Sequence, residues 1–111
     1  MKIKIDALDK LFSRYIRNRD RCCQRCGSSK SLQCCHMHSR RHQNTRFDPD
    51  NAVALCFGCH QYLDSHPIEK IEFFQARLGG QGFDLLRARS QEACKIDREA
   101  IKLWLQKELN G

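Results

Sequence analysis

Two C-x-x-C pairs, Cys23-Gln24-Arg25-Cys26 and Cys56-Phe57-Gly58-Cys59, constrain this chain more than any other feature of it. Two residues between cysteines let both sulfurs face one ion, and two such pairs make a tetrahedral thiolate site suited to structural zinc. With 111 residues the chain is expected to form one domain, small enough to profit from such a staple. Its start, MKIKIDALDK, lacks the unbroken apolar stretch of a secretory signal. A reducing, cytoplasmic setting is therefore expected, where metal thiolates are favoured over disulfides. No apolar run approaches the ~20 residues needed to cross a bilayer. Cys22 could replace Cys23 as a ligand with a three-residue gap; Cys23 is preferred because it matches the second pair. Cys22, Cys34 and Cys94 read as packing residues or spare thiols.

The 29 residues between the pairs exceed the usual zinc-ribbon interval, so something substantial is inserted. Before the pairs, Leu8, Leu11, Phe12, Tyr15 and Ile16 recur at helical spacing behind Asp6, a good N-cap. Inside the insert, 32–37 and 51–55 read as short strands joined by a polar loop. The stretch 57–65 reads as a helix that must end near Pro67, because a residue before proline avoids the α region. Pro67 can open a further helix with Ile68, Ile71, Phe74 and Leu78 on one face, stopped at Gly79-Gly80. Phe83, Leu85 and Leu86 mark a short segment of undecided type. Asp97 caps a last helix striped by Ile101, Trp104, Leu105 and Leu109. The expected fold class is α+β: an N-terminal helix over 1–20, a ribbon with a two-stranded antiparallel hairpin over 21–67, and helices over 68–111. The stripes of the terminal helices suit core packing or a homodimer contact.

Charge is unevenly placed. The net charge is +7, yet between Arg14 and Arg46 nine basic residues face one acid, Asp20. From Phe47 onward acids outnumber bases. An excess confined to one third of the chain points to a polyanionic partner. A membrane surface fits less well, because the basic segment is broken by Cys, His and Gly rather than forming one amphipathic helix.

The same third contains Cys35-His36-Met37-His38, then Asp48-Pro49-Asp50-Asn51, then Cys59-His60. His36, Asn51 and His60 stand fifteen and nine residues apart. In order and spacing this resembles the HNH endonuclease family, and in particular its small, phage-associated, zinc-ribbon members that nick DNA. The resemblance covers Cys23 to about Pro67 and leaves the flanking helices outside it. It implies a ββα-metal finger: two short strands, then a helix beginning near Cys56. It also implies His36 as general base, Asn51 as a brace on the loop, and His60 as ligand of a catalytic Mg2+ or Mn2+.

The chemistry accounts for those residue types. Phosphodiester hydrolysis needs an activated water, in-line geometry and relief for charge on the leaving oxygen. Histidine titrates near neutrality, and positioned proton transfer is worth ~10²–10⁴ in rate. One departure from the family stands out: the position before the base, which in the family usually supplies Asp or His as a ligand, is Cys35. A thiolate is a poor partner for hard Mg2+ or Mn2+. Asp64, four residues beyond His60 and so on the same helical face, is the expected further ligand. His38 and His42 are alternatives from the loop. Arg40, Arg41 and Arg46 flank the proposed site and, with Arg25, are expected to contact phosphates. The leading reading is a metal-dependent DNA endonuclease of low sequence specificity. The alternative is a non-catalytic zinc-ribbon DNA-binding module.

Overall fold

The computed structural model describes residues 4–92 and 95–111; Cys94 lies outside the described residues. The architecture is mixed α and β. Its elements are α1 (Ala7–Asp20), β1 (Leu32–His36), α2 (Gln43–Arg46), β2 (Ala52–Cys56), α3 (Phe57–Ser65), α4 (Pro67–Ser90) and α5 (Arg98–Asn110). A 3-10 turn over Pro49–Asn51 leads into β2.

Local signals act as anticipated at several ends. The Asp6 side chain accepts from the Asp9 amide, and the Asp9 carboxylate accepts from the Asp6 amide, a capping box that starts α1. Asp97 caps α5 through the Ala100 amide. His66 closes α3 and Pro67 opens α4. At Gly79 the backbone turns to φ 77°, ψ 159°, which splits α4 into two helical halves. The first helical half therefore ends at the glycine pair, and the undecided segment around Phe83 is a second helical stretch beyond the kink.

β1 and β2 pair antiparallel, with Cys35 opposite Val53 and His36 opposite Ala52. Both faces of this two-stranded sheet are covered. Val53 and Leu55 point toward Cys59, Leu63, Phe74 and Phe83. Ala52 and Ala54 point the other way, toward Leu8, Phe12, Ile16 and Leu105. Burial on both sides is why β2 is apolar at every position and does not alternate.

Arg19 fastens α1 to the sheet. Its guanidinium donates to the Pro49 and Ala52 carbonyls, both at 2.8 Å, and pairs with Asp20. Asp20 in turn accepts from the Ala54 amide at 2.8 Å. Part of the basic excess is thus structural. Two anticipated apolar stripes are only partly buried. In α4, Phe74 is fully enclosed while Ile68 and Ile71 are exposed. In α5, Leu105 is buried and Trp104 tilts against Tyr15 with ring centroids 5.1 Å apart.

Candidate metal and phosphodiester site

Cys23, Cys26, Cys56 and Cys59 come together with their sulfurs all within 4.8 Å of one another. The turn 23–26 and the β2–α3 junction present them in matching ways. The Cys26 amide donates to Cys23 Sγ at 3.5 Å, and the Cys59 amide donates to Cys56 Sγ at 3.4 Å. Arg25 adds a further donor to Cys59 Sγ at 3.4 Å while stacking over the Tyr62 ring. Burial alone would raise the Cys23 thiol, but the surrounding backbone amides outweigh it and bring its pKa down to about 6. Four converging sulfurs with donors aimed at them suit a metal such as zinc. Cys22 lies outside the cluster, beside the Gln24 side chain.

A second group of potential ligands forms between α3 and β1. Cys35, His60 and Asp64 offer donor atoms that also lie within 4.8 Å of one another. Helical spacing puts His60 and Asp64 on one face, with His60 Nε2 3.3 Å from Asp64 Oδ2. Cys35, fully buried on β1, faces the same helix. Burial pushes its thiol up to about 12, so an ion would have to displace the proton. Gln33, two residues earlier on β1 and hence on the same side of the strand, has its Oε1 2.7 Å from His60 Nδ1. Lys70 from α4 pairs with Asp64 Oδ1 at 2.8 Å.

The donors of this group are one sulfur, one nitrogen and one carboxylate. Mg2+ selects oxygen ligands in octahedral geometry. The expected Mg2+ does not fit this set, and Mn2+ fits it poorly. Cys35, which stands in the family's ligand position and is a poor partner for hard ions, joins the group nonetheless. Gln33 and Lys70 carry no sequence signal and are recognisable only by proximity.

His36 follows Cys35 and so points to the opposite face of the sheet, where its ring lies 5.6 Å from Phe12. Its Nε2 is 3.0 Å from the Arg46 carbonyl. A carbonyl only accepts, so Nε2 carries the proton and Nδ1 is the free acceptor of the neutral ring. Burial is the main influence on this histidine and lowers its pKa, keeping the ring neutral near pH 7.

Asn51 is completely enclosed. Its Oδ1 accepts from the His38 amide at 2.8 Å, and its Nδ2 donates to the His38 and Thr45 carbonyls, each at 2.9 Å. One side chain therefore ties both ends of the 38–45 loop. His38, beside Phe83, and His42, beside His38, lie within that loop and outside the ligand group.

A groove of about 680 Å3 runs along the open edge of β1, lined by His36, His60 and Asp64. Lys10, Arg17, Arg40 and Lys70 border it. Of the arginines expected to meet phosphates, Arg41 is exposed and Arg40 is half-buried at the groove. Arg46 is a correction. It is only 6% exposed, and its guanidinium binds Asp9 of α1, with Nε to Oδ1 at 2.9 Å. A buried, paired cation is a brace within the protein and has no surface left for a phosphate. Arg25 is exposed but engaged with Cys59 and Tyr62 beside the cysteine cluster. Lys10 and Arg17, both on α1, stand at the groove in their place.

Among the described residues no helix is long and apolar enough to cross a membrane. Comparison of the chain with protein-family models, with curated proteins and with solved structures finds no match.

Proposed function

We propose that this protein is a metal-dependent DNA endonuclease of the HNH type, hydrolysing phosphodiester bonds with low sequence specificity. One observation carries the reading. A neutral histidine, His36, anchored through Nε2, lines the same groove as the His60–Asp64 ligand pair, and cations border it.

His36 Nδ1 would accept the proton of the attacking water. The Arg46 carbonyl holds its ring in the tautomer that leaves this nitrogen free. Lys10, Arg17 and Arg40 would hold the DNA backbone through its phosphates, contacts that position a strand without reading its sequence. Asn51 would keep the 38–45 loop, and with it the Arg46 carbonyl, at the proper height against β1. Lewis acidity would come from an ion on Cys35, His60 and Asp64, a set unsuited to Mg2+. The cysteine cluster would hold structural zinc and clamp the turn 23–26 to the start of α3. Strands β1 and β2 followed by α3 would then serve as the ββα-metal finger, a reading their order along the chain supports.

Supercoiled plasmid incubated with the protein and divalent metal is expected to become nicked. Cleavage should fall by ~10²–10⁴ in His36→Ala while the cysteine-bound zinc is retained. Salt-sensitive DNA binding without cleavage under any metal would instead identify a zinc-ribbon binding module. Unaltered cleavage by His36→Ala would refute the assigned base.

A further inference from the structure

The family resemblance led to the expectation of a hard divalent ion beside His36, and the side chains present disagree with it. The disagreement extends beyond Cys35. Gln33 Oε1, which only accepts, lies 2.7 Å from His60 Nδ1, and His60 Nε2 is turned toward the Asp64 carboxylate at 3.3 Å. A ring nitrogen and a carboxylate oxygen turned toward one space can share a cation there. Cys35 Sγ closes the third side of that space from β1. Histidine ligands of zinc commonly hand their second N–H to an acceptor that fixes the ring, and Gln33 stands where that acceptor belongs.

We propose that Cys35, His60 and Asp64 form a second zinc site, of the open type, which discriminates against Mg2+. Structural zinc sites close with four protein ligands, as the cysteine cluster does, whereas catalytic ones keep three and leave a position for water or substrate. A sulfur, an imidazole and a carboxylate suit borderline-soft Zn2+ and offer Mg2+ one acceptable donor. Charge agrees with this. Zn2+ with a thiolate, the Asp64 carboxylate and the adjoining Lys70 ammonium leaves one positive charge, which a phosphodiester neutralises. His60 and Asp64 line the groove that His36 also lines, so an ion held by them would be within reach of a substrate there. The two zinc ions of one chain would thus differ in kind, one closed and structural, the other open to substrate.

This inference deepens the nuclease reading, and a binding measurement separates the two. Zinc is counted by native mass spectrometry on the full chain, in the presence of a large excess of Mg2+. Wild type should hold two zinc ions; Cys35→Ser should hold one and Cys26→Ser should lose the other. Because Cys35 is buried, Gln33→Ala provides a gentler variant. It should keep the first ion and bind the second ~10–100-fold more weakly. A single zinc ion in wild type, two ions of unchanged affinity in Cys35→Ser and Gln33→Ala, or displacement of the second ion by Mg2+ would each overturn the proposal. Plasmid cleavage is scored separately. Two bound zinc ions without cleavage would support the site and end the nuclease reading. Mg2+-driven cleavage by a chain holding one zinc ion would do the reverse.

Discussion

His36 and Arg46 meet at 3.0 Å, the imidazole Nε2–H donating to the backbone carbonyl. The same Arg46 sends its side chain the other way, into a buried pair with Asp9 at the first turn of α1. One residue thereby links the capping box of the first helix to the orientation of a histidine on the sheet.

Asp9→Asn should therefore act twice. Losing Asp9 leaves the enclosed Arg46 with only the looser Asp6 carboxylate at 3.5 Å, a destabilisation of ~2–4 kcal/mol, readable by urea unfolding and below that of a fully unpaired buried charge. It should also slow cleavage, because the carbonyl that sets the His36 tautomer loses its anchor. Replacing both partners with apolar residues should cost less stability than Asp9→Asn alone. A double variant as unstable as the two single changes added together would contradict this.

The pH dependence of stability follows from His36. Burial depresses its pKa in the folded chain, against the Arg46 hydrogen bond that raises it. As pH falls through the ordinary histidine value of 6.5, the unfolded chain takes up the proton first. The neutral ring's contribution is fully present above that pH and is lost below it, toward the lower folded pKa. The Tm advantage of wild type over His36→Asn should shrink on acidification below about pH 6.5. A pH-independent difference would count against a buried neutral ring.

Asn51→Ala removes three hydrogen bonds and strands the His38 amide and the His38 and Thr45 carbonyls in the interior. The expected loss is ~2–4 kcal/mol, with faster amide exchange through the 38–45 loop. Asn51→Asp should be worse than its shape suggests, because a carboxylate oxygen would then face two carbonyls.

Gly79 and Gly80 separate conformation from space, since a Cβ at either meets nothing within 4 Å. Gly79 sits at φ 77°, which an L side chain resists, so Gly79→Ala should destabilise by ~1–3 kcal/mol. Gly80 has no such φ, and Gly80→Ala should stabilise by ~0.4–1 kcal/mol through the unfolded state. Thermal melts of the two variants should move in opposite directions.

The legible parts of the fold share a short range. Asp6 and Asp97 act on amides three residues away, Pro67 acts on the residue before it, and α3 has the bounds 57–65 that its flanking signals set. Gly79-Gly80 ends the first half of α4 as a glycine pair should, but the pair does not reveal the second helical stretch beyond it, where Phe83 and Leu86 are buried. Ile68 and Ile71 of α4 have core spacing yet remain exposed, because spacing shows a shared face and not whether another element covers it.

From the order of residues alone came the four sulfurs suited to one ion, the caps, the two strands, and the succession of His36, Asn51 and His60. All depend on spacings of a few residues or on a motif's linear order. The destinations of the arginines did not. Arg46 pairs with a residue 37 positions earlier, and Arg19 with carbonyls 30 and 33 positions later. Nothing within a turn of either predicts those contacts. The donor set of the second site depended equally on folding, because Cys35 and Gln33 reach His60 and Asp64 only when β1 lies against α3. Side-chain type is local, whereas the partner of a buried charge or thiol is decided by whichever surfaces the core brings together.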